Sequence, residues 1–226
     1  MRAIEQMLIL QQQLNDATSG KGWEQGITNK GKPIDWKRCI YLEAAELVDS
    51  YPWKHWKNID ANPDYDNIKI EVVDIWHFVM SEALRQYKIQ QKGDITDLAD
   101  MMEKLPHFEA FQSTITKEPL PVFEQIASVE DMIKTLFLHD DITRITDAFF
   151  KMAYDLRINL DELYQLYTGK NILNRFRQEH GYKEGHYIKK WNGEEDNVVM
   201  QRIMHRNYPL TPERLYQLLE TEYPNK

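Results

Sequence analysis

Apolar residues recur at helical spacing along most of the chain, whereas the alternation of apolar and polar residues that is typical of half-buried strands is nearly absent. The pattern therefore predicts an all-α fold. The helices that we predict lie at residues 3–17, 36–50, 66–91, 95–105, 120–137, 141–156, 160–180, 194–206 and 212–222.

Some predicted helices carry recognisable signals at their ends. Thr211, Pro212 and Glu213 supply an N-cap, a proline at the first helical position and an acid in the first turn. Gly181 follows a long predicted helix, where a left-handed residue commonly ends the helix. The segment 105–121 contains three prolines and is the predicted seam between two halves, although no clean division into two domains is indicated.

Composition narrows the class of protein. The chain has 226 residues and a net charge of −8, so it is long enough to bury a sizeable core and too acidic for a general nucleic-acid coat. Cys39 is its only cysteine, which excludes an internal disulfide and favours a reducing compartment. No signal-peptide core is present, and the most apolar run, residues 72–80, is short and interrupted by Asp74 and His77. We therefore expect a cytoplasmic protein without a nucleic-acid or membrane partner.

Two pairs of acids occur on the second and third predicted helices. Glu43 and Glu46 are three residues apart, and Glu71 and Asp74 repeat that spacing. Each pair lies among apolar residues, and the helical spacing puts Glu43 in the middle of an apolar stripe. A carboxylate removed from water costs several kcal/mol unless it has a partner, so these acids need a compensating charge.

Divalent cations are the compensation that we favour. Four neighbouring carboxylates cannot all remain ionised without cations, and ligation by oxygen alone suits Mg²⁺ or Mn²⁺. One alternative is pairing with buried Arg or Lys, but Arg38 falls on another face of its helix. Another is a di-iron site, which uses Glu-x-x-His from two helices, and only Asp74-x-x-His77 approaches that motif.

A polar stripe on the helix predicted at residues 160–180 supplies positive charge. Lys170, Asn174 and Arg177 share one face, and Arg can bind two phosphate oxygens at once. The stripe is therefore a candidate phosphate clamp, with a solvated amphipathic face as the alternative. The following segment 181–197 contains Lys189 and is either a loop that closes on an anionic ligand or a mobile surface loop.

Amides and indoles near the N-terminus are candidates for nucleobase recognition. Gln11 and Asn15 share one face of the first predicted helix, and Trp23 follows it. The segment 53–57, WKHWK, adds two tryptophans and two lysines. Exposed surface glutamines and a packed aromatic cluster are the alternatives.

The motifs together resemble a known family. The E-x-x-E and E-x-x-D pairs and their separation resemble the signature of the all-α nucleoside triphosphate pyrophosphatases. The segments LQQQLND, RCIYLEAAELVDSYPWKHWK, EVVDIWHFVM, YTGKNILNRFRQEHGY and KKWNGEEDN resemble the successive motifs of the dimeric dUTPases. The resemblance covers most of the chain and is most specific in residues 36–80 and 164–197.

The resemblance implies a helical bundle with a rigid metal-binding half and a mobile helical half, in a single domain over residues 1–226. Its metal-binding core helices would be residues 1–91 and 160–226, with a variable helical region at 92–159. The implied protein is a homodimer that hydrolyses dUTP and dUDP to dUMP with a metal-activated water, releasing pyrophosphate from dUTP. A pyrophosphatase that prefers dCTP and a nucleotide-binding protein without activity are the alternatives.

The resemblance also implies residue roles. Glu43, Glu46, Glu71 and Asp74 would hold two or more Mg²⁺ ions, for which Mn²⁺ can substitute, and Glu46 would orient or deprotonate the attacking water. The residues that would lie near the phosphates or the sugar are Lys170, Asn174, Arg177 and Lys189. Those that would lie near the nucleoside are Gln11, Asn15, Trp56 and Asn197. Two further substrate contacts would be Lys57 and Asn192.

Overall fold

The computed structural model describes residues 2–57, 60–207 and 209–224, and most of them are helical. This confirms the all-α prediction. The α-helices of the described ranges are α1 (Ala3–Ser19), α2 (Trp36–Asp49), α3 (Tyr65–Ile89), α4 (Ile95–Met102), α5 (Phe108–Gln112), α6 (Val122–Leu138), α7 (Ile142–Asp155), α8 (Leu160–Glu179), α9 (Asp196–Arg206) and α10 (Pro212–Glu222).

Every predicted helix is present, with ends that differ by up to three residues, and the described ranges contain three short elements that were not predicted. One is a 3₁₀ turn at Trp23–Gln25, and another is α5, whose five residues are too few to show a helical period. The third is an antiparallel hairpin of β1 (Lys190–Trp191) and β2 (Glu194–Glu195). Its Asn-Gly turn has φ angles of 52° and 93°, the left-handed conformation that a two-residue hairpin requires.

The end signals form as predicted. The Thr211 hydroxyl accepts a hydrogen bond from the Arg214 backbone N–H at 3.3 Å, and Pro212 begins α10. Gly181 has a φ of 81° and ends α8. The N–H groups of Gly181 and Tyr182 donate to backbone carbonyls of the last helical turn, at 3.4 and 3.0 Å, in the pattern of a Schellman motif.

The central helix of the first compact unit is α3. It is buried on nearly all sides and packs against α1, α2, α4 and α7. Trp76, at its middle, is fully buried and stacks on Phe149 of α7 with ring centroids 4.8 Å apart. The burial explains why its sequence is apolar all round, and it makes any acid on this helix costly unless compensated.

Contacts divide the chain into two compact units, Met1–Tyr164 and Gln165–Lys226. The seam predicted at residues 105–121 is therefore wrong, because this segment lies inside the first unit. Its prolines flank α5, whose Phe108 and Phe111 pack on Phe150 of α7 with centroids 5.4 and 4.8 Å apart. The single domain predicted over residues 1–226 stays a prediction.

The second unit has its own aromatic core. Phe176 of α8 is fully buried and contacts the rings of Trp191 and Tyr223 at centroid distances of 5.7 and 5.3 Å. The Met204 side chain of α9 lies directly against Gly169 of α8, where its sulfur would be 2.4 Å from an added Cβ atom. In neither unit does a helix of the described ranges combine the length and apolar character needed to cross a bilayer.

Candidate active-site residues

The junction of α2 and α3 brings acids of both predicted pairs close together. The Ser50 carbonyl, just after α2, accepts a hydrogen bond from the Asp64 N–H, just before α3, at 2.9 Å. The Asp64 side chain caps α3 by accepting from the Asn67 N–H at 3.0 Å. The chain therefore begins α3 beside the end of α2, so acids near these two ends become neighbours.

Three of the four predicted acids form a cluster. One carboxylate oxygen from each of Glu43, Glu46 and Glu71 lies within 4.8 Å of the others. Glu71 is buried, Glu43 is half-buried and Glu46 is exposed, so the cluster opens toward solvent at Glu46. Asp74 is half-buried and lies outside this group.

The donor set fits a hard divalent cation. Mg²⁺ binds oxygen ligands at about 2.1 Å, so oxygens at the observed spacing need only small side-chain rotations to share one ion. The donors are all carboxylates. Burial raises the pKa of the nearby Cys39 thiol, and the negative charges of Glu43 and Asp35 raise it further. A protonated thiol is a poor ligand, which leaves an oxygen-only set.

Glu43 occupies the edge of the apolar stripe of α2, and its predicted central position is wrong. The fully buried positions of the stripe are Ile40, Ala44 and Leu47, with Trp36 next to them. Ala44 is fully buried at the centre of the stripe, and a Glu43 carboxylate oxygen lies within 4.8 Å of one of Glu71 on α3.

Arginine side chains pair with two other acids of this region. Arg38 is exposed and pairs with Asp35 at 3.1 Å, on the face predicted for it. Further along α3, the buried Glu82 receives two hydrogen bonds from Arg85, at 2.7 and 2.8 Å. Glu71 accepts a hydrogen bond from the neutral amide of Asn67 at 3.1 Å.

Gln11 and Asn15 are buried, at 2% and 3% exposure, so the alternative of exposed surface glutamines is wrong. Gln11 Nε2 donates to Asn15 Oδ1 at 3.0 Å and to Ser81 Oγ at 3.1 Å. Its Oε1 is 2.6 Å from His77 Nδ1, which must be the donor because an amide oxygen only accepts. The sequence analysis considered His77 only in a di-iron motif and missed Ser81, and the spacing of one helical turn between the two on α3 is the signal that could have linked them.

Both tryptophans of the WKHWK segment are exposed, Trp53 at 37% and Trp56 at 63%. Trp53 donates from its indole N–H to Asp49 at 3.1 Å, and Lys54 pairs with the same carboxylate. Trp56 contacts the Trp53 ring edge to face and is 63% exposed. Lys57 is exposed and lines a depression at the end of α2.

In the second unit, the polar stripe of α8 is largely buried, so the alternative of a solvated face is wrong. Arg177 donates through Nε and Nη2 to the two oxygens of Asp196, both at 2.8 Å. Asp196 is fully buried and also accepts from the Tyr187 hydroxyl at 2.8 Å. Burial acts to raise the pKa of Asp196, but the bonds and charge of Arg177 outweigh it and hold that pKa below its usual range.

The remaining predicted residues of this unit fall into two sets. Lys170 is buried and donates to Asn197 Oδ1 at 3.0 Å, and Asn174 accepts from Arg177 Nη1 at 3.1 Å. Lys189 and Asn192 are exposed, with Lys189 3.5 Å from a Glu195 oxygen and Asn192 in the hairpin turn. The sequence analysis missed Asp196, which is the first residue of α9 and looks like an ordinary acid of a first helical turn.

Comparison with known protein families gives a match over most of the chain. A family model described as dUTPase matches residues 3–182. The matched range contains all four acids and the polar stripe of α8, whereas Lys189, Asn192 and Asn197 lie beyond it. No curated protein matches the chain.

Proposed function

We propose, from the premise that this chain belongs to the dUTPase family and hydrolyses dUTP to dUMP, that Glu43, Glu46, Glu71 and Asp74 hold two or more Mg²⁺ ions for the reaction. The observation that carries this proposal is the cluster of three carboxylate oxygens within 4.8 Å of one another. Mn²⁺ is the expected substitute, because it accepts the same oxygen ligands. The same pocket would act on dUDP.

All four acids would bind the ions, and Glu46 would have a second role in the reaction. A bound divalent cation neutralises phosphate charge and acidifies water. Glu46 is the exposed member of the cluster, so its carboxylate is the one that can accept a proton from water arriving from solvent. Its proposed role is to orient and deprotonate the attacking water, whose oxygen forms the new bond to phosphorus as the phosphoanhydride bond breaks.

The nucleoside contacts that we propose are Gln11, Asn15, Trp56 and Asn197. The hydrogen bonds among Gln11, Asn15 and Ser81 fix the amides in place, which is how a site discriminates polar base edges. The exposed indole of Trp56 offers a flat apolar face.

The phosphate and sugar contacts that we propose are Lys170, Asn174, Arg177 and Lys189, with Lys57 and Asn192 as further contacts. Asp196 fixes the plane of the Arg177 guanidinium by binding two of its nitrogens. A fixed guanidinium loses less entropy when it binds an oxyanion than a mobile one does. Lys170 contributes a second positive charge on the same helical face.

We also propose that the protein is a cytoplasmic homodimer. The adjacent helices α2 and α6 carry Leu42, Phe123, Phe137 and Leu138, which are between 48% and 72% exposed. Large exposed apolar side chains on neighbouring elements commonly mark an interface. A second copy is the occupant that we assign, because an apolar patch is complementary to itself in a twofold arrangement.

A substrate panel tests the proposed chemistry. The purified protein, stripped with EDTA and supplied with Mg²⁺, is given dUTP, dUDP, dCTP or UTP, and the monophosphates are quantified by chromatography. We expect turnover of dUTP and dUDP, no turnover in EDTA, and recovery with Mn²⁺. Faster turnover of dCTP than of dUTP would support the alternative preference, and activity in EDTA would contradict the metal proposal.

A further inference from the structure

Asn67, in the first turn of α3, contacts both helices that carry the acid cluster. Its Nδ2 lies 3.1 Å from Glu71 Oε1, one helical turn further along α3. The same nitrogen lies 2.8 Å from Ser50 Oγ, just after the end of α2. The Ser50 hydroxyl in turn lies 3.1 Å from the backbone carbonyl of Glu46.

The directions of these hydrogen bonds form one consistent chain. A carboxylate and a backbone carbonyl only accept, so the Asn67 amide nitrogen faces Glu71 and the Ser50 hydroxyl donates to the Glu46 carbonyl. Ser50 Oγ therefore accepts the second amide hydrogen of Asn67. One amide group thus orients the carboxylate of Glu71 and anchors the backbone of the turn that carries Glu46.

An amide suits this position because it is a neutral donor. A Lys or Arg would neutralise the carboxylate and compete with a cation for it, as Arg85 does at Glu82. An Asp would place a third negative charge beside Glu71 without donating. Asn67 can restrict the rotation of Glu71 without placing a further charge beside it.

We infer that Asn67 is a positioning residue that fixes Glu71 and, through Ser50, the spacing between the carboxylates of α2 and α3. The inference rests on the metal site proposed above. Groups that hydrogen-bond to metal ligands and orient them typically contribute roughly 10- to 100-fold to metal affinity. The contribution of Asn67 is to binding of the ion, and proton transfer does not involve it.

Mn²⁺ binding to the nucleotide-free protein, followed by the electron paramagnetic resonance signal of the free ion, tests the inference. We expect Asn67→Ala to weaken Mn²⁺ binding by roughly tenfold or more. We expect Ser50→Ala to weaken it less, because the bond from Asn67 to Glu71 remains. Hydrolysis of dUTP by Asn67→Ala should recover at saturating Mn²⁺, since the ion compensates for the lost orientation.

Asp64→Ala separates positioning from stability, since Asp64 caps the same helix through a backbone N–H. This variant should melt at a lower temperature and bind Mn²⁺ like the wild type. Wild-type affinity in Asn67→Ala, or equal weakening in Asp64→Ala, would overturn the inference. If Asn67→Ala does not fold, the Mn²⁺ affinity of Ser50→Ala is compared with those of the wild type and Asp64→Ala in the same way.

Glu71→Gln distinguishes failure of the inference from failure of the proposed metal site. Loss of Mn²⁺ binding in Glu71→Gln with wild-type binding in Asn67→Ala removes only the role of Asn67. Unchanged binding in both variants removes the metal site, and the inference with it.

Discussion

Glu46 has a different environment from the two acids beside it. Glu71 is buried and hydrogen-bonded, whereas the Glu46 side chain is exposed at the rim of the cluster. Burial and hydrogen bonding restrict a carboxylate to one geometry, which suits a ligand. Exposure leaves Glu46 access to water, which suits a residue that accepts a proton.

Replacing Glu46 by Gln tests this difference at the residue scale. The amide has nearly the same shape and cannot accept a proton, so we expect an unchanged fold and a loss of roughly 10²- to 10⁴-fold in kcat for dUTP hydrolysis. Steady-state production of dUMP measures the loss, and circular dichroism checks the fold. Glu130→Gln, an exposed acid on α6, is the matched control. Activity of Glu46→Gln within twofold of that control would remove Glu46 from the mechanism.

At the scale of secondary-structure elements, the pair of Arg177 and Asp196 joins α8 to the beginning of α9. Both side chains are buried, and two parallel hydrogen bonds of 2.8 Å fix their relative orientation. Removing one member of a buried pair leaves the charge of the other poorly compensated. This link explains why the polar stripe of α8 can be buried.

We expect Asp196→Asn to lower the free energy of unfolding by about 3 kcal/mol, because the charge of Arg177 is then poorly compensated. Urea denaturation measures this loss. The exposed pair of Arg202 and Glu194, 2.9 Å apart, provides the control Glu194→Gln, for which we expect a loss below about 1 kcal/mol. Similar losses in both variants would contradict a structural role for the buried pair.

The same pair predicts a pH dependence. The pKa of Asp196 is lower in the folded protein than its ordinary value of about 3.9. Its stabilisation is therefore complete above the unfolded pKa and is lost as the pH falls through the folded pKa. The stability difference between wild type and Asp196→Asn should accordingly shrink when urea denaturation is repeated below about pH 4.

At the scale of the whole molecule, the patch of exposed apolar residues on α2 and α6 is the feature most relevant to assembly. Phe137 packs on Tyr41 with ring centroids 5.4 Å apart and still leaves 64% of its surface exposed. Burying such a patch against a second copy would remove apolar surface from water at about 25 cal/mol per Å².

We expect the wild type to have a mass of about twice 27.0 kDa in light scattering coupled to gel filtration. Phe137→Glu combined with Leu138→Glu should shift it toward the monomer, because two carboxylates would have to be buried. Ile27→Glu changes an exposed apolar residue outside the patch and should have no effect. A dimeric double variant would place the interface elsewhere, and a monomeric wild type would contradict the dimer.

The helices and several of their end signals could be predicted because they depend on neighbours within a few residues. Period and capping are local, so Thr211 and Gly181 behave as their sequence context indicates. The hairpin was not predicted although Asn192-Gly193 is a recognised turn signal. Its strands have only two residues each, which is too short to show an alternation of apolar and polar residues. Sequence also indicated the acid pairs, since a spacing of three residues places them on adjoining positions of one helix.

Sequence alone determined that this is a helical protein with acids on two consecutive helices and a resemblance to the dUTPases. Only the tertiary structure decided that the oxygens of Glu43, Glu46 and Glu71 converge, and that Arg177 binds a buried Asp196. It also decided that Asn67 faces Glu71 and Ser50 together. Helical period follows from local backbone geometry, whereas these contacts depend on how the helices pack and on which donors and acceptors then lie within hydrogen-bonding distance.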